Sequence, residues 1–152
     1  MANSIWKAAE EIKEMVDKLI ANRHPDLALV SDHILVVFRE KAGKSGGQVV
    51  YGKAFKCSDY MNVVGGTNYS FIIELGADTW SQELNEQQRE ALLDSILCSM
   101  VVEEDERSGD IRLGTIKPDI QAFRKNVEEY GMWFPKDEEE EEEVKEETQN
   151  QE

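Results

Sequence analysis

The run Ile34-Leu35-Val36-Val37-Phe38 is the longest uninterrupted apolar stretch of the chain, and it constrains the fold more than any other feature. It falls far short of the ~20 residues that a membrane helix needs. Its β-branched and aromatic composition, flanked by turn residues, predicts a short strand opened by His33. A strand that is apolar at successive positions leaves no face for water, so other elements must cover it.

Around this strand the periodicity alternates between helix and strand. Ile5, Ala8, Ile12, Met15, Val16, Leu19 and Ile20 recur at helical spacing, which predicts an amphipathic helix over residues 4–21, capped by Asn3 or Ser4. A turn is expected at Asn22-Arg23-His24-Pro25. After the glycine-rich break at residues 42–47, residues 48–56 read as a second strand, with a hairpin as the simplest connection to the first. Residues 58–67, with Gly65-Gly66, read as loop or a short helical turn, and residues 69–75 as a third strand. Asp78-Thr79-Trp80 starts a turn. Asn85 with Gln88 forms a capping-box pattern ahead of Ala91, Leu92, Leu93, Ile96, Leu97 and Met100, a wide apolar stripe reaching about Val102. Residues 103–110 read as an exposed acidic loop and residues 111–116 as a short strand. Pro118 then opens a third helix that Gly131 closes. The order predicts one α+β domain over residues 1–135, with a small antiparallel or mixed sheet of three to four strands and about three helices.

Charge is unevenly distributed. The chain carries 32 acidic and 17 basic residues, a formal −15. Residues 136–152 hold ten acids and two lysines, a net −8, which leaves −7 on the remainder. A block of like charge with a single Val144 buries too little apolar surface to offset its ordering entropy, so it reads as a disordered acidic tail. A body of this size buries roughly two-thirds of its unfolded surface, enough for an ordinary core without a metal or a disulfide. An excess of acids argues against a protein that tracks nucleic-acid phosphates. The N-terminus lacks the layout of a signal peptide, and Cys57 and Cys98 have no Cys-x-x-Cys spacing, so a soluble protein of the reducing cytoplasm is expected.

Catalytic constellations are sparse. His24 and His33 are the only histidines, and each reads as structural or surface. A zinc site drawing on both with Cys57 and Cys98 would need four scattered residues to converge. Gly43-Lys44-Ser45 has the tripeptide of a phosphate-binding loop but lacks its first glycine, and it sits in an expected hairpin, which is the better reading. Ser95 and Ser99 share one helix face, with no base nearby in sequence to activate either.

The segment Ala91-Leu92-Leu93-Asp94-Ser95-Ile96-Leu97-Cys98-Ser99 resembles the active-site helix of the phage metallopeptidase family, a zincin-like family in which Ala-Leu-Leu-Asp is followed by His-Glu-Leu-Cys-His. The resemblance extends over His24-Pro25-x-Leu27, the strand at residues 34–38 followed by Lys41, Gly52-Lys53-Ala54, Phe71-Ile72-Ile73 then Trp80, Pro118-Asp119-Ile120-Gln121-Ala122-Phe123, and Gly131-x-Trp133. It covers residues 6–133 and implies a zincin-like fold and a zinc peptidase ancestry.

The chain departs from that pattern where the chemistry would reside. Such a helix needs two histidines at i and i+4 to face one zinc, and a glutamate beside the first to activate the metal-bound water. Here those positions are Ser95, Ser99 and Ile96, and Pro118 stands where another histidine is expected. No catalytic residue, metal ligand or cofactor site is therefore assigned; zinc is expected only if the degenerate site is restored. The leading expectation is an inactive phage or prophage metallopeptidase-like protein that binds a host or phage protein in the bacterial cytoplasm, without contacting nucleic acid or membrane. One alternative is an acidic nucleic-acid mimic that occupies a basic surface of a host defence protein. Another is a divergent metal-dependent hydrolase using Asp94, Asp119, Glu103 or Glu104 with a histidine from elsewhere.

Overall fold

The structure is a computed structural model and describes residues 3–117 and 123–133. The chain starts with a strand, β1 (Ile5–Lys7), where helical spacing predicts helix. Helix α1 begins only at Glu10 and runs to Arg23, with Ala9 as an N-cap that makes no side-chain bond. The reason is tertiary: Trp6 pairs with Phe38 across an antiparallel ladder, ring centroids 6.1 Å apart, and the Ala8 N–H donates to Val36 O at 2.9 Å. Asn3 does not cap a helix either. Its side chain clamps the Lys41 backbone, donating to the carbonyl at 3.1 Å and accepting from the N–H at 2.8 Å.

Residues expected to form a turn continue α1, so that His24 is its C-cap, and Pro25 starts a 3-10 helix (Pro25–His33) burying Leu27 and Val30. The apolar run forms β2 (Ile34–Arg39). Strands β3 (Gly43–Ser45) and β4 (Gln48–Val50) make a separate hairpin whose two turn residues, Gly46 and Gly47, have φ of 58° and 81°. Positive φ at both central positions matches the twist of a two-residue hairpin and favours glycine at each. There follow β5 (Gly52–Lys56), α2 (Asp59–Gly65), β6 (Phe71–Gly76), α3 (Ala77–Gln82) and α4 (Glu86–Ser99). A second hairpin, β7 (Met100–Glu104) with β8 (Ile111–Thr115), leads to α5 (Arg124–Tyr130). The third helix expected to open at Pro118 falls partly outside the described residues, as do the acidic residues 136–152.

The main sheet has the order β1-β2-β6-β5, with β2 parallel to β6 and the outer pairs antiparallel. This corrects the expected hairpin between residues 34–38 and 48–56, because β6 lies between them. The more apolar β2 and β6 take the two interior positions, while β5, carrying Lys53 and Lys56, takes an edge. The predicted α+β class with a mixed sheet is found. The expectation of about three helices is too low: the described residues contain five α-helices and one 3-10 helix, the additional ones being too short to show a helical period.

One sheet face carries the core. Val36, Phe71, Ile73 and Leu75 pack with Ile12 and Val16 of α1 and with Leu93, Ile96 and Leu97 of α4. Strand alternation sends Val37 and Ile72 to the other face, where they join Cys57, Phe55 and Tyr69 in a smaller cluster. A mixed sheet with a long helix against one face is compatible with a zincin-like arrangement.

Candidate functional site

Helix α4 starts as its sequence predicts. Asn85 Oδ1 accepts from the Gln88 N–H at 2.8 Å, and Gln88 Oε1 accepts from the Asn85 N–H at 3.0 Å. The helix stops at Ser99, three residues short of the expected end, because Met100 turns into β7. Ser95 and Ser99 are half-buried on one face, and Ile96 is buried. Ser99 Oγ donates to Ile96 O at 2.5 Å, a bond back to its own helix. Ile96 lies against the edge strand so closely that a Cβ built on Gly52 would stand 2.8 Å from its Cδ1.

Zinc does not fit this helix face. The two positions that would supply imidazoles supply hydroxyls, which are poor zinc ligands, and the position of the general base is hydrocarbon packed in the core. Glu103 and Glu104 are exposed on β7, and Asp119 and Pro118 lie outside the described residues. The four scattered ligands do not assemble either. His33 Nδ1 bonds Asn68 O at 3.0 Å, and Cys57 is buried on the far sheet face beside Val37 and Ile72.

What the structure does assemble is a network around Asp94, whose side chain is fully buried beside Ser95 in sequence. Oδ1 accepts from Arg23 Nε at 2.8 Å and faces His24 Nε2 at 2.6 Å; Oδ2 accepts from Asn126 Nδ2 at 2.9 Å and from Arg23 Nη2 at 3.4 Å. Asn126, also fully buried, donates to Ala91 O at 2.8 Å and accepts from Trp133 Nε1 at 2.7 Å. Gln88 of the capping box donates to Trp133 O at 3.0 Å. Arg23 in turn donates to Lys125 O at 3.2 Å, pairs with Glu129 at 3.3 Å and lies over the Tyr130 ring, while Lys125 donates to Arg23 O. The end of α1, the middle of α4, α5 and Trp133 are thereby joined through one carboxylate.

The electrostatics follow from that arrangement. Burial alone would push the Asp94 carboxyl up, but hydrogen bonds from His24, Arg23 and Asn126 outweigh it and hold the pKa at about 2. The bond to Asp94 raises the Arg23 pKa. Burial, then the Asp94 charge, pushes the Cys98 thiol up to about 11, and burial with Glu90 and Asp94 raises Tyr130.

The ligand atoms of His24, Asp94 and Cys98 lie within 4.8 Å of one another, and His24 and Cys98, though not Asp94, line a cavity of about 190 Å³ together with Asp26, Phe123 and Lys125. Both oxygens of Asp94 already face donors, and the thiol is held protonated at neutral pH, so the set is closed as it stands. It orients three helices and has neither a thiolate nucleophile nor a free carboxylate. Sequence reading named Asp94 as a possible metal ligand and gave His24 a structural or surface role; of these two the structure places His24 in a structural one, as a buried partner of Asp94. The available signal was a carboxylate flanked by Leu92, Leu93, Ile96 and Leu97, which cannot enter a core unpaired.

The fold is an α+β domain, and at the three α4 positions where the resemblance implies two zinc-binding histidines and a glutamate it carries Ser95, Ser99 and Ile96. The family described as Putative phage metallopeptidase matches residues 4–149, and the chain belongs to that family. Comparison with curated proteins and with solved structures gave no match.

Proposed function

We propose that this chain is a non-catalytic member of its family that acts by binding a protein partner in the cytoplasm of a bacterial host. The observation that carries this reading is Ile96. At the position where the family pattern has its general base, a side chain only 5% exposed packs in the hydrocarbon core between α4 and the edge strand. One lost ligand is replaceable by a neighbour. Two lost imidazoles and a lost base leave no group on this helix face that could hold zinc or deprotonate a bound water. Among the described residues no helix is long and apolar enough to cross a membrane.

The test is direct. Purified protein is expected to contain no stoichiometric zinc and to cleave no generic peptide substrate, and capture from host lysate is expected to return a defined protein partner. One tightly held, EDTA-sensitive zinc per chain overturns the reading.

The His24–Asp94–Cys98 convergence favours one further reading, a divergent metal-dependent hydrolase that loads its metal at this set. That reading requires metal to displace Arg23 and Asn126 from Asp94. Zinc or manganese binding lost in both His24→Ala and Cys98→Ser would support it, and its absence in the unmodified protein would remove it.

A further inference from the structure

A cleft of about 450 Å³ opens at the ends of β2 and β6, between them, β5 and the β3–β4 hairpin. It is lined by Arg39, Lys44, Lys53, Glu74 and Ser45, with Gly43, Gly52 and Gly76 forming walls without side chains. Phe38, Ile73 and Leu75 face α1 and α4, so alternation turns Arg39 and Glu74 to the opposite sheet face. Lys53 stands directly across from Glu74. The cleft is thus separate from Ser95, Ile96 and Ser99, and nothing in the proposed function depends on it.

Its charge runs against that of the chain. In a protein of formal charge −15, three cations and one carboxylate line one small cavity. Glu74 offsets one of them, approaching Arg39 Nη1 at 3.6 Å and facing Lys53 across the ladder. Asp78, bonded to the lining residue Ala42, is engaged elsewhere, its Oδ1 accepting from the N–H groups of Ala42 and Thr79 at 2.9 and 2.8 Å. Arg39 Nε is buried and has no hydrogen-bond partner among the described residues. A buried donor without an acceptor is unfavourable, and a bound anion can remove that penalty.

We infer that this cleft binds a small phosphate-bearing anion. The surplus of two positive charges matches a phosphate dianion better than a single carboxylate. Arg39 supplies a fork of donors, Lys44 and Lys53 supply compact charges suited to phosphate oxygens, and Ser45 adds a hydroxyl. The small walls and the few apolar side chains, Ala42 and Val50, suit a compact ligand and not an extended peptide. Gly43-Lys44-Ser45, set aside in the sequence as a hairpin, thereby gains a role, as one wall of a charged cleft without a helix behind it.

The experiment titrates the full chain with inorganic pyrophosphate, and in separate arms with inorganic phosphate and citrate, following backbone amide shifts at low ionic strength. Saturable shifts are expected at Gly43, Lys44, Ser45 and Lys53 with pyrophosphate. The affinity is expected to weaken about tenfold or more in Lys44→Gln/Lys53→Gln, and to fall in about 0.15 M salt. Lys44→Glu alone, on the exposed hairpin, is expected to abolish the shifts while leaving the rest of the spectrum unchanged. No saturable response in this segment, an unchanged affinity in both variants, or citrate binding as tightly as pyrophosphate overturns the assignment.

Discussion

His24 Nε2 lies 2.6 Å from Asp94 Oδ1, joining the C-cap of α1 to the middle of α4 across a sequence separation of 70 residues. The same oxygen accepts from Arg23, so two adjacent residues grip one buried carboxylate. The joint lies directly beside Ser95 on α4.

Removing the hub should be costly. Asp94→Ala removes the carboxylate that Arg23 Nε and the buried Asn126 amide share, and a loss of about 3–5 kcal/mol is expected in urea unfolding. A loss below about 1 kcal/mol would show that the joint contributes little to stability.

Acid should loosen the same joint. The folded Asp94 pKa of about 2 lies below the ordinary carboxylate value, so its contribution is complete above that value and lost as pH falls toward 2. About 2 kcal/mol of stability is expected to disappear between roughly pH 5 and pH 2 from this group, on the rule of 1.36 kcal/mol per unit. Asp94→Asn should lack that component, so its urea midpoint should fall less steeply over the window.

Cys98 should be a slow thiol. With its pKa pushed up to about 11, the thiolate fraction at pH 8 is reduced roughly a hundredfold relative to an ordinary cysteine. Alkylation by iodoacetamide, mapped by peptide mass, should be slower at Cys98 in native protein than in urea by about that factor. Asp94→Asn, which removes one source of the shift, should speed it.

The contact between Gly52 and Ile96 should show coupling. Gly52→Ala places a methyl 2.8 Å from Ile96 Cδ1 and 2.9 Å from Leu75 Cδ2, and overpacking of about 1–3 kcal/mol is expected. Ile96→Val removes that Cδ1, so the double variant should be more stable than the sum of the single losses predicts, read as a double-mutant cycle by urea unfolding.

How far the sequence carried differs element by element. Asn85 and Gln88 sit three residues apart and make their bonds within one turn, so the start of α4 was legible without any partner. The helical spacing of Ile12, Val16 and Leu19 likewise located α1. Ile5 and Trp6 fit that same spacing and became strand, because β2 offered them a ladder that helical periodicity does not reveal. Ser95, Ile96 and Ser99 were assigned to the family pattern from order along the chain, and what surrounds them was not legible there.

By itself, the sequence determined what depends on near neighbours: the apolar stripes of α1 and α4, the capping box, the glycine-rich break after the first long apolar run and the α+β class. Tertiary structure alone decided that β6 lies between β2 and β5, that His24 reaches Asp94, and that Arg39, Lys44 and Lys53 share a cleft. Each of these rests on contacts between residues distant in the chain. Such pairings are chosen by how the two sheet faces pack and by which buried charge must find a donor, and no local period records that choice.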